Sequence, residues 1–152
     1  MIVPKIGLMH DHQQPAKPEA LSGYLEALAR VVFSTGISWR VVDAKWPSIQ
    51  AAYQGFDPAR VAGMDDDGLD RLMADTRVIR NRRKLEAIRS NAARMLELDA
   101  ENGGFDRYLD RLGDYDATRK DLHKQFAFVG DSGAWLFLWM VGRSVPPHDP
   151  GG

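Results

Sequence analysis

The chain has 152 residues, 44% of them hydrophobic and 27% charged, with 20 basic and 21 acidic side chains and a formal net charge of −1. That balance fits one globular domain and excludes a disordered or collagen-like chain. It also excludes a uniformly basic surface, so any nucleic-acid contact has to be confined to one face. No cysteine is present, which removes disulfides and thiolate-bound zinc and is compatible with a reducing cytoplasm. The longest apolar run, Ala134 to Val141, is far short of a membrane span. The Met1 to Leu8 segment carries Lys5 and lacks a small-residue cleavage pattern, so it does not read as a signal peptide.

Residues 1–18 hold three prolines and the polar run His12-Gln13-Gln14, which predicts an extended arm. Residues 19–149 form the predicted helical domain. Leu21, Tyr24, Leu25, Leu28, Val31 and Val32 recur at helical spacing, Gly36 closes that helix, and Ser38 is placed to cap the next, starting at Trp39. Pro47 is expected to kink or restart the chain. Asp57-Pro58 opens a short helix, and Asp65, Asp66 and Asp67 sit where the next helix start favours acids. The longest helix is predicted from Arg82 to Ala100, with Leu85, Ile88, Ala92, Met95 and Leu96 inward and Gly103-Gly104 as its stop.

Phe105, Tyr108, Leu109 and Leu112 mark a further short helix. A last helix pair, residues 118–124 and 132–142, flanks the segment Phe126-Ala127-Phe128-Val129-Gly130-Asp131. The second of the pair is apolar on all sides and is expected at the centre of the core. No alternating strand pattern appears. The predicted fold is all-α, a compact bundle of short helices with a helix-hairpin-helix element near the C-terminus.

Three segments in order carry a resemblance. Thr35-Gly36-Ile37-Ser38-Trp39 followed by Tyr53-Gln54-Gly55-Phe56-Asp57-Pro58, then Val78-Ile79-Arg80-Asn81-Arg82-Arg83-Lys84-Leu85, are similar in order and spacing to the methyladenine DNA glycosylase I family. Phe126-Ala127-Phe128-Val129-Gly130 resembles that family's hairpin, within the wider helix-hairpin-helix glycosylase superfamily. The resemblance implies base excision repair on double-stranded DNA: a damaged base, such as 3-methyladenine or another alkylated purine, is flipped out and its N-glycosyl bond hydrolysed. It implies no cofactor, no membrane association and action as a monomer.

By matching position, Trp39 becomes the aromatic wall of the base pocket, and Val31 stands where the family has a pocket glutamate. Gly130 falls in the hairpin, where the backbone can approach a phosphate and the N–H groups of Asp131, Ser132 and Gly133 begin a helix. The superfamily aspartate, which stabilises positive charge on the deoxyribose, maps to Asp149 at the end of Gly142-Arg143-Ser144-Val145-Pro146-Pro147-His148-Asp149. His10 and His148 fall where the family has histidine zinc ligands, but with no cysteine beside them no metal site is expected.

Arg80, Arg82, Arg83 and Lys84, with Arg77, form the densest basic cluster, and Arg119, Lys120 and Lys124 flank the hairpin. Cations at a helix start oppose the helix dipole, so an anionic partner such as the DNA backbone would explain them; a solvated face is the plainer reading. Trp39 likewise has a plain reading as a core aromatic, and Trp46, Trp135 and Trp139 are read as core. With Val31 in the glutamate position, the alternative function is a non-catalytic DNA-binding protein that kept the scaffold. A role in binding a small molecule or another protein is a third possibility.

Overall fold

Apolar side chains at helical spacing build the fold, and a computed structural model describes residues 13–147. His10, Asp11, His12, His148 and Asp149 lie outside the described residues. The described chain runs through α1 (Leu21–Ser34), α2 (Trp39–Ala52), α3 (Pro58–Ala62), α4 (Asp66–Met73), α5 (Arg82–Asn102), α6 (Phe105–Arg111), α7 (Tyr115–Gln125) and α8 (Asp131–Met140), with no strand among those residues.

Side-chain caps set most of these starts. Ser38 accepts from the Arg40 N–H at 3.1 Å, Asp57 from Arg60 at 3.2 Å and Asp65 from Gly68 at 2.8 Å. Asn81 accepts from Lys84 at 3.1 Å and Asp114 from Ala117 at 2.9 Å. Each such bond satisfies an N–H that the helix leaves open and stabilises by about 1 kcal/mol. Gly103 ends α5 in the left-handed conformation, at φ 71°, which only glycine adopts without strain.

Pro47 does not break the chain; α2 passes through it without interruption. The proline is exposed while Trp46 and Ile49 beside it are buried. The carbonyl it leaves without an amide partner therefore lies toward water, and packing of the inner face outweighs the lost bond.

The helix α5 is the scaffold, packing against α1, α3, α4 and α6. Helix α1 is shared between two halves, since it also packs against α8, which in turn rests on α7. Leu25, Leu28, Val32 and Phe33 of α1 are fully buried between them. The apolar α8 is not the central helix. Leu136, Phe137 and Leu138 face the core, whereas Trp135 and Trp139 are only half-buried.

Two described segments without helix, around Gln14 and around Pro146, bond to α8 and the turn after it. Gln14 Nε2 donates to the carbonyls of Trp139, at 3.0 Å, and Arg143, at 2.7 Å. Trp135 Nε1 donates to the Pro146 carbonyl at 2.9 Å. Residues 13–20 carry no helix, yet they lie so close to Gly142 that a Cβ there would sit 2.9 Å from the Lys17 nitrogen.

Candidate functional site

The last turn of α1, the loop after it, the α7–α8 hairpin and the first turn of α8 enclose a cavity of about 580 Å³. That falls within the roughly 300–1,000 Å³ typical of small-molecule sites. Val31, Ile37, Phe126, Phe128, Val129 and Leu136 give it apolar walls, while Ser34, Thr35, His123, Asp131 and Ser132 supply its polar side chains.

The hairpin owes its shape to three local features. Phe126 closes α7 by donating its N–H to the Leu122 carbonyl at 3.1 Å. Phe128 then takes φ 63°, a left-handed conformation that costs a bulky residue on the order of 1–2 kcal/mol. The surroundings hold it there: Asn91 of α5, 2% exposed, bonds the neighbouring Ala127 at both its N–H and its carbonyl. The carbonyl of Val129 lies 2.9 Å from His123 Nδ1; a carbonyl only accepts, so the proton of this contact is on Nδ1.

Gly130 caps α8 in an extended conformation, φ −89°, that any residue adopts. A Cβ at Gly130 would meet nothing within 4 Å. The strained position of the turn is thus Phe128, and the protein's own packing does not require the glycine. Gly133 is different, because a Cβ there would come within 2.7 Å of Val31 Cγ1. The two walls of the cavity meet at that contact.

The helical ladder of α8 begins with the Ala134 N–H donating to the Gly130 carbonyl at 2.8 Å. Asp131, Ser132 and Gly133 therefore form the first turn, and bring the positive end of the helix dipole to the cavity. Asp131 is at the rim, highly exposed and paired with Arg119 at 2.8 Å.

The methyladenine glycosylase family model matches residues 8–132. The chain belongs to that family. The DNA-3-methyladenine glycosylase of Haemophilus influenzae is 35% identical over 128 residues, covering 70% of this chain and 69% of that protein. DNA-3-methyladenine glycosylase 1 of Escherichia coli is 38% identical over 68 residues, 45% of this chain, so the match spans about a third of that relative's length, 36%. The structure of 3-methyladenine DNA glycosylase I from Staphylococcus aureus, solved to explain 3-methyladenine recognition, superposes with a TM-score of 0.75 at 26% identity. It covers 91% of this chain and 85% of that one.

Within this member of the methyladenine glycosylase family, the residues expected at the site are only partly brought together. Val31, Gly130, Asp131, Ser132 and Gly133 all line the cavity. Trp39 does not. It is 9% exposed and sits within 5.3 Å of the Arg30 guanidinium, which also lies 4.8 Å from the Trp46 ring. Arg30 in turn pairs with Asp43 at 2.8 Å, so its contact with Trp39 is a structural cation–π stack. The expectation that the indole forms a wall of the pocket is corrected accordingly.

Lys84 is a second correction. It is 4% exposed, and its Nζ donates inward to the carbonyls of Phe33, at 2.9 Å, and Thr35, at 2.5 Å. These are end carbonyls of α1, and a cation there satisfies them and complements the helix dipole. Burial pushes the ammonium below the ordinary lysine value. This lysine holds the cavity wall and has no surface from which to reach a phosphate.

Arg82 has its anions within the chain, Asp70 at 2.5 Å and Glu86 at 3.4 Å, and these account for its place at a helix start. Arg80, Arg83 and Lys124 are exposed and form no ion pair among the described residues. No group of three or more metal-ligating side chains occurs among the described residues.

Proposed function

We propose that this protein is a DNA glycosylase of base excision repair, which hydrolyses the N-glycosyl bond of an alkylated purine flipped into the cavity between α1 and the hairpin. The observation that carries the proposal is the cavity itself. It is of small-molecule size, has apolar walls that suit a flat aromatic base, and opens beside a helix start that suits a phosphate. The names of the relatives, as DNA-3-methyladenine glycosylases, point to 3-methyladenine as the first base to test.

The chemistry asked of the pocket is modest. An alkylated purine in DNA carries positive charge and leaves as a neutral base, taking the glycosyl bonding electrons with it, while water adds to the sugar carbon. The protein has to extrude the base, hold it by packing and stabilise the cationic sugar. In this reading Phe126, Phe128 and Leu136 hold the base. The first turn of α8 at Gly130, Asp131, Ser132 and Gly133 receives the backbone, with Arg80, Arg83 and Lys124 as cations that pair with no acid among the described residues, and Asp149 is assigned the role of stabilising the cationic sugar.

Release of free base from alkylated duplex DNA by the purified protein is the test. Release above the spontaneous rate, lowered by Asp149→Asn, supports the assignment; release at the spontaneous rate ends it. Val31 favours a second reading, a DNA-binding protein without catalysis, because the cavity then has only a rim carboxylate, Asp131, among the described residues. That reading predicts salt-sensitive duplex binding with no release at all.

A further inference from the structure

We infer that the base in the cavity stacks on the Phe128 ring, and that the left-handed backbone of Phe128 is strain which this stack compensates. The inference rests on the reading of the cavity as a base pocket and adds which side chain supplies the flat surface. Two phenyl rings line the cavity. Phe126 is 4% exposed and its ring already packs on Phe105, at 6.2 Å between centroids. Phe128 is half-buried, and its ring pairs with no other ring and no guanidinium among the described residues.

Strain singles out the same residue. Three non-glycine residues among those described take positive φ: Gln54, Phe56 and Phe128. Gln54 is an exposed turn residue whose side-chain oxygen accepts from Arg60. The two phenylalanines are outliers, because a bulky side chain crowds the backbone in this region. Phe56, at φ 62°, shows how the fold compensates such strain. Its ring is fully buried and stacked against Trp46, at 5.5 Å and 2°, and against Tyr53, at 4.6 Å and 9°.

Phe128, at φ 63°, carries the same backbone strain without that compensation. A glycine would give the turn its left-handed residue at no steric cost. The hairpin has one two residues later, at Gly130, where φ −89° does not call for it. The phenyl group at 128 is therefore held at a conformational penalty that a glycine would avoid. Strain of this kind persists where the surroundings enforce it, and it clusters at ligand sites. Asn91 enforces it here through its two bonds to Ala127. What the Phe128 ring lacks is a flat partner, and a purine is one; stacking on a phenyl ring needs no particular base edge.

The test titrates 3-methyladenine into the wild type, Phe128→Leu, Phe128→Tyr and Phe128→Gly, and follows the proton signals of the ligand by NMR. Protons lying over a phenyl ring resonate upfield, so the wild type should move these signals upfield on binding. Phe128→Leu, apolar but without a π face, should abolish that shift and weaken binding about tenfold, with Phe128→Tyr close to wild type. Phe128→Gly should bind as weakly as Phe128→Leu yet melt within about 5 °C of the wild type, because relief of strain offsets lost packing. Phe56→Gly, which empties a fully buried site, should melt far lower.

An upfield shift and an affinity that Phe128→Leu leaves unchanged overturn the inference. So does a Phe128→Gly variant as destabilised as Phe56→Gly, which would show that the core already compensates the strain, or failure of the wild type to bind the base. Base release from alkylated duplex DNA, measured alongside, keeps the two claims apart. Stacking that depends on Phe128, without release, removes the glycosylase reading and leaves the inference standing. Release by the wild type that persists in Phe128→Leu, with unaltered binding, does the reverse.

Discussion

The Asn91 carboxamide grips Ala127 across 36 residues of sequence, accepting its N–H at 2.9 Å and donating to its carbonyl at 3.1 Å. The same two bonds that would join neighbouring strands here join α5 to the hairpin, and they hold the chain where Phe128 must turn left-handed. Asn91→Ala should lower stability by about 1–3 kcal/mol, since a buried clamp is lost and two backbone groups must find water. Base release should fall more than stability does, because the hairpin wall of the cavity loosens. Chemical denaturation and single-turnover release on one preparation check both.

The contact of Gly133 with Val31 makes a paired prediction. Gly133→Ala alone places a Cβ 2.7 Å from Val31 Cγ1, closer than two carbons pack, and should cost about 1–3 kcal/mol by overpacking. Val31→Ala removes the obstructing methyl. The double variant should then be less destabilised than the sum of the two single variants, which a double-mutant cycle by thermal melting measures. Additive effects would mean that the two walls do not touch.

The cations should separate by salt. Arg83→Ala and Lys124→Ala each should reduce the slope of duplex affinity against salt concentration by about 1, as a lost phosphate contact does. Lys84→Ala should leave the slope unchanged while destabilising the fold, since its ammonium is committed to the Phe33 and Thr35 carbonyls. Arg82→Ala should also leave it unchanged, because Asp70 and Glu86 already neutralise the guanidinium.

Alkali offers a test of the core around the first helix. Burial, and then the nearby Asp106 carboxylate, push the Tyr24 phenol up to about 12 from its ordinary 10. The folded state keeps this proton over a range in which the unfolded chain has lost it. The stabilisation is therefore complete below pH ~10 and is lost as pH rises from there through ~12. Phenolate absorbance should lag behind that of a free tyrosine and then rise together with loss of helical signal. A Tyr24→Phe variant should lose less stability over that interval.

Much of the fold is legible in the sequence because its signals are local. Ser38, Asp57 and Asp65 announce helix starts by chemistry that acts within three residues, and the left-handed Gly103 announces a stop. Pro47 misleads for the same reason, since its local penalty is visible while the burial of Trp46 and Ile49 is not. The apolar α8 misleads too: the segments that bond to it, near Gln14 and Pro146, are far apart in the sequence.

The site is legible where the motif is contiguous, from Phe126 to Gly133, and obscure where it depends on distant partners. Nothing in the neighbourhood of Trp39 shows that Arg30, nine residues earlier, occupies the space beside its ring. Nothing around Lys84 shows that its charge turns inward to α1. Asn91 and His123 escape a sequence reading because polar residues on helices are usually solvated; only their placement against the hairpin and cavity distinguishes them.

Methyl-resolved NMR of the labelled protein titrated with 3-methyladenine shows whether a base binds in the cavity between the end of α1 and the hairpin. Binding there should shift the methyl groups of Val31, Ile37, Val129 and Leu136, which line the cavity, with Val42 and Ile49 of α2 unmoved. Shifts confined to α2 around Trp39, with the cavity methyl groups silent, would contradict it.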